Sequence, residues 1–125
     1  MKDKISKTCC GWNFFKNKIR SQKIDTIMIH MHGGGFIALS SRMMQSMTRR
    51  WANELKIPIF SIDYRKPPEH PFPAATNSCL AVYKFLLKKI SYYMDIEPKN
   101  IYLAGDSAGG NIACSLMANI LIDKL

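Results

Sequence analysis

Long apolar runs are missing from this chain. No stretch reaches the roughly 18 apolar residues that a membrane-spanning helix needs. The amino terminus lacks an apolar segment too: Met1 to Cys10 holds lysines without the hydrophobic core of a secretory signal, and Lys2 excludes N-myristoylation. Cysteine is sparse. Cys9, Cys10, Cys79 and Cys114 show neither metal spacing nor a disulfide framework, so a reduced, cytoplasmic protein is expected. Internal repeats and low-complexity linkers are absent. Acid is scarce, with 9 Asp and Glu against 18 Lys and Arg, for a net charge of +9.

What is present suits one globular domain: 125 residues, 47% of them apolar. The charge is unevenly placed. Lys2, Lys4, Lys7, Lys16, Lys18, Arg20 and Lys23 face Asp3 alone, so most of the excess lies in residues 1–23. The plain reading of this segment is a solvated, disordered basic leader. Its interleaved Trp12, Phe14, Phe15 and Ile19 also fit peripheral contact with an anionic membrane or lipid-droplet surface. Nucleic acid is not an expected partner, because the remainder is nearly neutral and carries no such motif.

After residue 23 the pattern alternates. Ile24 to His30 reads as a short buried strand, followed by Gly33-Gly34-Gly35. Ser40 or Ser41 is expected to cap a helix whose Met43, Met47, Trp51 and Leu55 share a face. A second strand is expected over Ile57 to Ile62, then a loop with Pro67, Pro68, Pro71 and Pro73. Ala74 to Ile90 reads as a helix with Cys79, Val82, Tyr83, Leu86 and Ile90 as its apolar stripe. A third strand covers Ile101 to Ala104, and a last helix starts near Ser107 with Ile112, Leu116 and Ile120 inward. Such alternation predicts an α/β fold with a parallel sheet and right-handed crossovers. Ligands bind beyond the carboxyl ends of such strands, where 32–36, 63–73 and 105–109 would meet.

Two of those loops carry chemistry. Gly105-Asp106-Ser107-Ala108-Gly109 places a serine on a strand–turn–helix junction, where small neighbours permit a sharp turn that lifts its hydroxyl above the sheet. The Ala108 amide and the helix amino terminus would face a developing oxyanion. His32-Gly33-Gly34-Gly35 leaves backbone N–H groups free for the same anion, each such donor contributing about 3 kcal/mol in the transition state.

Ile29 to Phe36 (IHMHGGGF), Asp63-Tyr64-Arg65 with Pro68 to Ala74 (PEHPFPA), and Gly105 to Asn111 (GDSAGGN) resemble the three signature blocks of the hormone-sensitive lipase family of esterases. The stretch Ser41 to Tyr64 is similar to the lipase that gives the family its name, and the likeness covers about residues 24–122. It implies an α/β-hydrolase fold, here its amino-terminal, three-layer part over 24–125 with a partial three-stranded sheet. It implies hydrolysis of a lipid or short-acyl ester. By the match Ser107 is the nucleophile, and Gly33, Gly34, Gly35 and Ala108 form the oxyanion hole. His32, Gly105, Asp106, Gly109 and Gly110 shape the loops. Neither a metal nor an organic cofactor is expected. Lys66-Pro67 departs from the family's usual Leu-Ala pair.

A triad in this fold runs Ser, then acid, then His. After Ser107 the chain has Asp123 and no histidine, so the sequence reads as an incomplete polypeptide that is inactive alone. The alternative is a ligand-binding or vestigial relative without catalysis. Other roles weigh less. Ser107 as an ordinary helix cap leaves the glycine loop unexplained. His30 and His32 share a strand face but lack an evident third metal ligand. His70 reads as structural, Asp63 precedes the nucleophile, and Asp106 reads as a loop-stabilising acceptor. Met43, Met44 and Met47 are expected in the core. A dinucleotide fingerprint, Gly33-x-Gly35-x-x-Ala38, fails because Asp63 comes too late and the helix starts beyond the glycines.

Overall fold

Parallel strands require crossovers, and each short apolar run of this chain is followed by a helix long enough to make one. The computed structural model, described for residues 24–94 and 96–124, places β1 (Thr26–Met31) between β2 (Ile59–Ile62) and β3 (Asn100–Gly105). Both pairings are parallel. Helix α1 (Gln45–Leu55) leads from β1 to β2, α2 (Ala74–Met94) leads from β2 to β3, and α3 (Ala108–Asp123) follows. Met31 pairs with Ile62 on one side and Gly105 on the other, so all three strands end at one level. Residues 1–23, with the expected basic leader, lie outside the described residues.

The chain steps outward from β1 to β2 and then back across β1 to β3. Crossovers of one hand made in opposite directions place α1 and α2 on opposite faces, which gives three layers. The loops after β1 and β3 leave from either side of this reversal, where α/β sheets hold their ligands.

Alternation along β1 sorts its side chains. Ile27, Ile29 and Met31 are fully buried in one cluster with Cys79, Tyr83, Leu86 and Ile90 of α2 and Ile112 and Leu116 of α3. On the other face His30 meets the edge of Trp51 from α1, ring centres 5.9 Å apart. Among the described residues no helix is long and apolar enough to cross a membrane.

Several boundaries differ from the sequence reading. β1 begins at Thr26, which pairs with Asn100 as the first rung of the β1–β3 ladder, and the Asp25 carbonyl just before it accepts the amides of Lys99 and Asn100. Neither Ser40 nor Ser41 caps α1. The helix starts at Gln45 with no side-chain cap, and the Ser40 hydroxyl holds the Met43 amide in a preceding turn. The expected α1 stripe is also corrected. Its buried residues are Thr48 and Ala52, while Met43 and Leu55 are exposed. Steps of four drift roughly 40° around a helix each time, so a stripe of three such steps turns off the core. Met43 lies in the turn before the helix, exposed and outside the expected methionine cluster, and Met44 and Met47 are half-buried. The α2 stripe holds, and that helix continues to Met94.

Candidate active site

β3 ends at Gly105 and α3 begins at Ala108, so Asp106 and Ser107 alone reverse the chain. Ser107 takes φ 49° and ψ −117°, a conformation that residues with a side chain adopt only when their surroundings enforce it. Its hydroxyl makes no capping hydrogen bond, and its side chain is exposed. An ordinary N-cap has extended backbone and bonds the helix's first turn. Ser107 does neither, so the plain capping role is set aside.

Two glycines enforce the turn. A Cβ on Gly109 would collide with the Met31 carbonyl, and one on Gly105 would collide with the backbone of Gly109. Strand, helix and the end of β1 thus meet at backbone distance. Gly110 is less tightly held, a Cβ there coming 3.3 Å from the Gly105 carbonyl.

The glycine loop after β1 is also tightly turned. Gly34 has φ 104° and Gly35 φ 61°, and the Gly34 carbonyl accepts the amides of Ile37 and Ala38 at 3.2 and 2.8 Å. Gly33 behaves differently from expectation. Its N–H donates to Asp106 Oδ1 at 3.0 Å, across the gap between the two loops. That bond gives Asp106 the acceptor role read for it. It also corrects the assignment of Gly33 to the oxyanion hole, since a donor already committed to a carboxylate is not free for a second anion. Among the described residues, the Gly34 and Gly35 amides donate to no protein acceptor. Ala108, as the first residue of α3, has no earlier turn to bond.

Beneath this loop lie two fully buried histidines. His32 Nδ1 sits 2.7 Å from the Gly33 carbonyl; because a carbonyl only accepts, that nitrogen carries the proton. Its Nε2 lies at ion-pair distance from Asp63 Oδ1, 3.4 Å, without hydrogen-bond alignment. Burial pushes the Asp63 carboxyl up, but the hydrogen bond and charge of Lys66, with His32 behind them, hold it below the usual carboxylate value. His30 Nδ1 pairs with Ser61 Oγ at 2.9 Å, its register partner on β2, and its Nε2 has no hydrogen-bond partner among the described residues. Burial pulls His30 below the ordinary histidine value, the Asp106 charge opposing this and His32 adding to it.

Tyr64 is the residue the sequence reading quoted without a role. It is buried, stacks on the His32 ring with centres 4.4 Å apart and planes 15° from parallel, and donates its hydroxyl to the His32 carbonyl at 2.7 Å. Burial, then nearby Cys79, Asp106 and Asp63, push the phenol up to about 12, so it remains a donor through neutral pH. Its place two residues past the end of β2, level with Gly33 two past the end of β1, is set by strand register and so left no signal in the sequence. Elsewhere, His70 is exposed on the proline-rich loop. Among the described residues no three His, Cys, Asp or Glu are grouped to hold a metal ion.

A family profile described as alpha/beta hydrolase fold matches residues 28–124. The chain is 42% identical to hormone-sensitive lipase of Mus musculus over 90 residues, which is 72% of this chain and 12% of that protein. Among solved structures, an esterase of Pyrobaculum calidifontis superposes with TM-score 0.78 at 31% identity, covering 84% of this chain and 34% of that one. A hormone-sensitive lipase from a metagenome library gives TM-score 0.70 at 35% identity, with the same coverage. The chain thus spans about an eighth of the mouse lipase and about a third of each solved relative.

Proposed function

This chain belongs to the alpha/beta hydrolase family, on its esterase and lipase side, and from that premise we propose that it carries the nucleophile and oxyanion half of a carboxylic-ester hydrolase. Ser107 Oγ adds to the ester carbonyl carbon, and its proton passes to a histidine base. The carbonyl oxygen gathers negative charge opposite the amides of Gly34, Gly35 and Ala108. Collapse of the adduct expels the alcohol and leaves an acyl-serine, which water then hydrolyses. His32, Gly33, Gly105, Asp106, Gly109 and Gly110 hold the loops. The substrate is a lipid or short-acyl ester with an apolar acyl chain.

The backbone of Ser107 carries this reading. A strained residue at the one level where three strands end, with no capping bond to explain its strain, fits a hydroxyl held out for attack. No histidine follows His70 in these 125 residues, and Asp123 is the one acid after Ser107, so the proposal assigns the base to polypeptide outside them. These residues alone should turn over ester negligibly. That same observation favours the second reading, a non-catalytic binder of acyl ligands. For residues 1–23 the proposal keeps the basic leader, with peripheral contact with a lipid surface as its alternative.

The test is hydrolysis of p-nitrophenyl butyrate by the native polypeptide and its Ser107→Ala form, with labelling by a serine-reactive phosphonate. Turnover and labelling that both vanish in the variant support catalysis. Unlabelled wild-type protein that still binds a fatty acid supports the second reading.

A further inference from the structure

We propose that Tyr64 is a positioning residue for this acyl transfer, fixing the peptide from which the oxyanion loop starts. The inference rests on the esterase reading of Ser107. The His32 carbonyl and the Gly33 N–H belong to one rigid, planar peptide. Tyr64 donates to the carbonyl end at 2.7 Å, and Asp106 accepts from the N–H end at 3.0 Å. One peptide plane is therefore gripped from both sides, by a residue following β2 and a residue following β3.

The next peptide is oriented by the same group. The Gly33 carbonyl turns inward to His32 Nδ1, and the Tyr64 hydroxyl lies 3.4 Å from it. In a trans peptide the C=O and N–H point opposite ways, so an inward Gly33 carbonyl turns the Gly34 N–H outward. The stacked Tyr64 ring holds the imidazole that makes this bond. Glycines at φ 104° and 61° have little intrinsic preference to keep those amides aimed. The aim comes from the buried phenol and imidazole below them.

Tyr64→Phe keeps the ring and its stacking and removes only the hydroxyl. In the native polypeptide, kcat for p-nitrophenyl butyrate should fall between about tenfold and about a hundredfold, with KM nearly unchanged. Affinity for a trifluoromethyl ketone, whose serine adduct presents a tetrahedral oxyanion, should fall by the same factor. Asp106→Ala frees the other end of the same peptide from an exposed position and should give the same signature even if Tyr64→Phe folds poorly. Unchanged kcat in both variants, or a rise in KM with kcat kept, would overturn the proposal while Ser107→Ala still abolishes turnover. Wild-type turnover retained in Ser107→Ala would instead overturn the esterase reading, and the role of Tyr64 with it.

Discussion

The two faces of β1 are written on alternate residues of one six-residue strand, and they do different work. Ile27, Ile29 and Met31 face α2 and α3 and vanish into the apolar cluster. Across the sheet, His30, followed by His32 beyond the strand end, places polar rings in full burial, bonded to Ser61 and to the backbone of the loop above. An apolar face stabilises by area removed from water and is indifferent to direction. A buried imidazole stabilises little in net terms but dictates where its partner points. Stability and aim are thus assigned to opposite sides of the same strand.

The sharpest way to break that contrast is to exchange the effects. Ile29→Ala, on the apolar side, should cost about 2–5 kcal/mol in urea unfolding and leave the KM of any folded fraction unchanged. His32→Ala should cost less stability, about 1–3 kcal/mol, yet lower kcat more than Ile29→Ala does. Should Ile29→Ala prove the stronger on kcat per folded molecule, the division of labour is wrong. A smaller effect concerns pH. His30 is held below its ordinary value by burial, so the unfolded chain binds that proton more readily than the folded one. Its contribution to stability is full above about 6.5 and is lost as pH falls from there through the lower folded value. His30→Gln should flatten that part of a Tm-against-pH curve. Asp63 is also held low and adds its own loss in a more acid window, below the usual carboxylate range. The smallest change belongs to the rim: Phe72, 89% exposed, replaced by Ser should shift stability within about 0.5 kcal/mol.

The strand and helix order was readable from hydrophobic period, and the α2 stripe was readable almost to the residue, because Cys79, Tyr83, Leu86 and Ile90 alternate steps of four and three and stay on one face. The α1 stripe misled because its even spacing of four looks periodic while rotating away from the sheet. The two glycine-rich loops stood out because clustered glycine marks backbone that residues with side chains rarely adopt. Tyr64 did not. Its role depends on where β2 stops relative to β1, and register between strands is not encoded in either strand alone. The commitment of the Gly33 amide was hidden for the same reason: Asp106 reaches it only once β3 lies beside β1.

That bond, from Gly33 to Asp106, joins residues 73 positions apart. Closing so long a segment is entropically costly, so the contact should form late, after the intervening strand and helices have docked. A ribosome-bound chain that has emerged only through α2 would carry the glycine loop without its latch. In such a chain the Gly34 and Gly35 amides would be present and unaimed. The two glycine-bearing loops, 33–35 and 105–109, would then take their final shapes in a single step, when β3 docks beside β1.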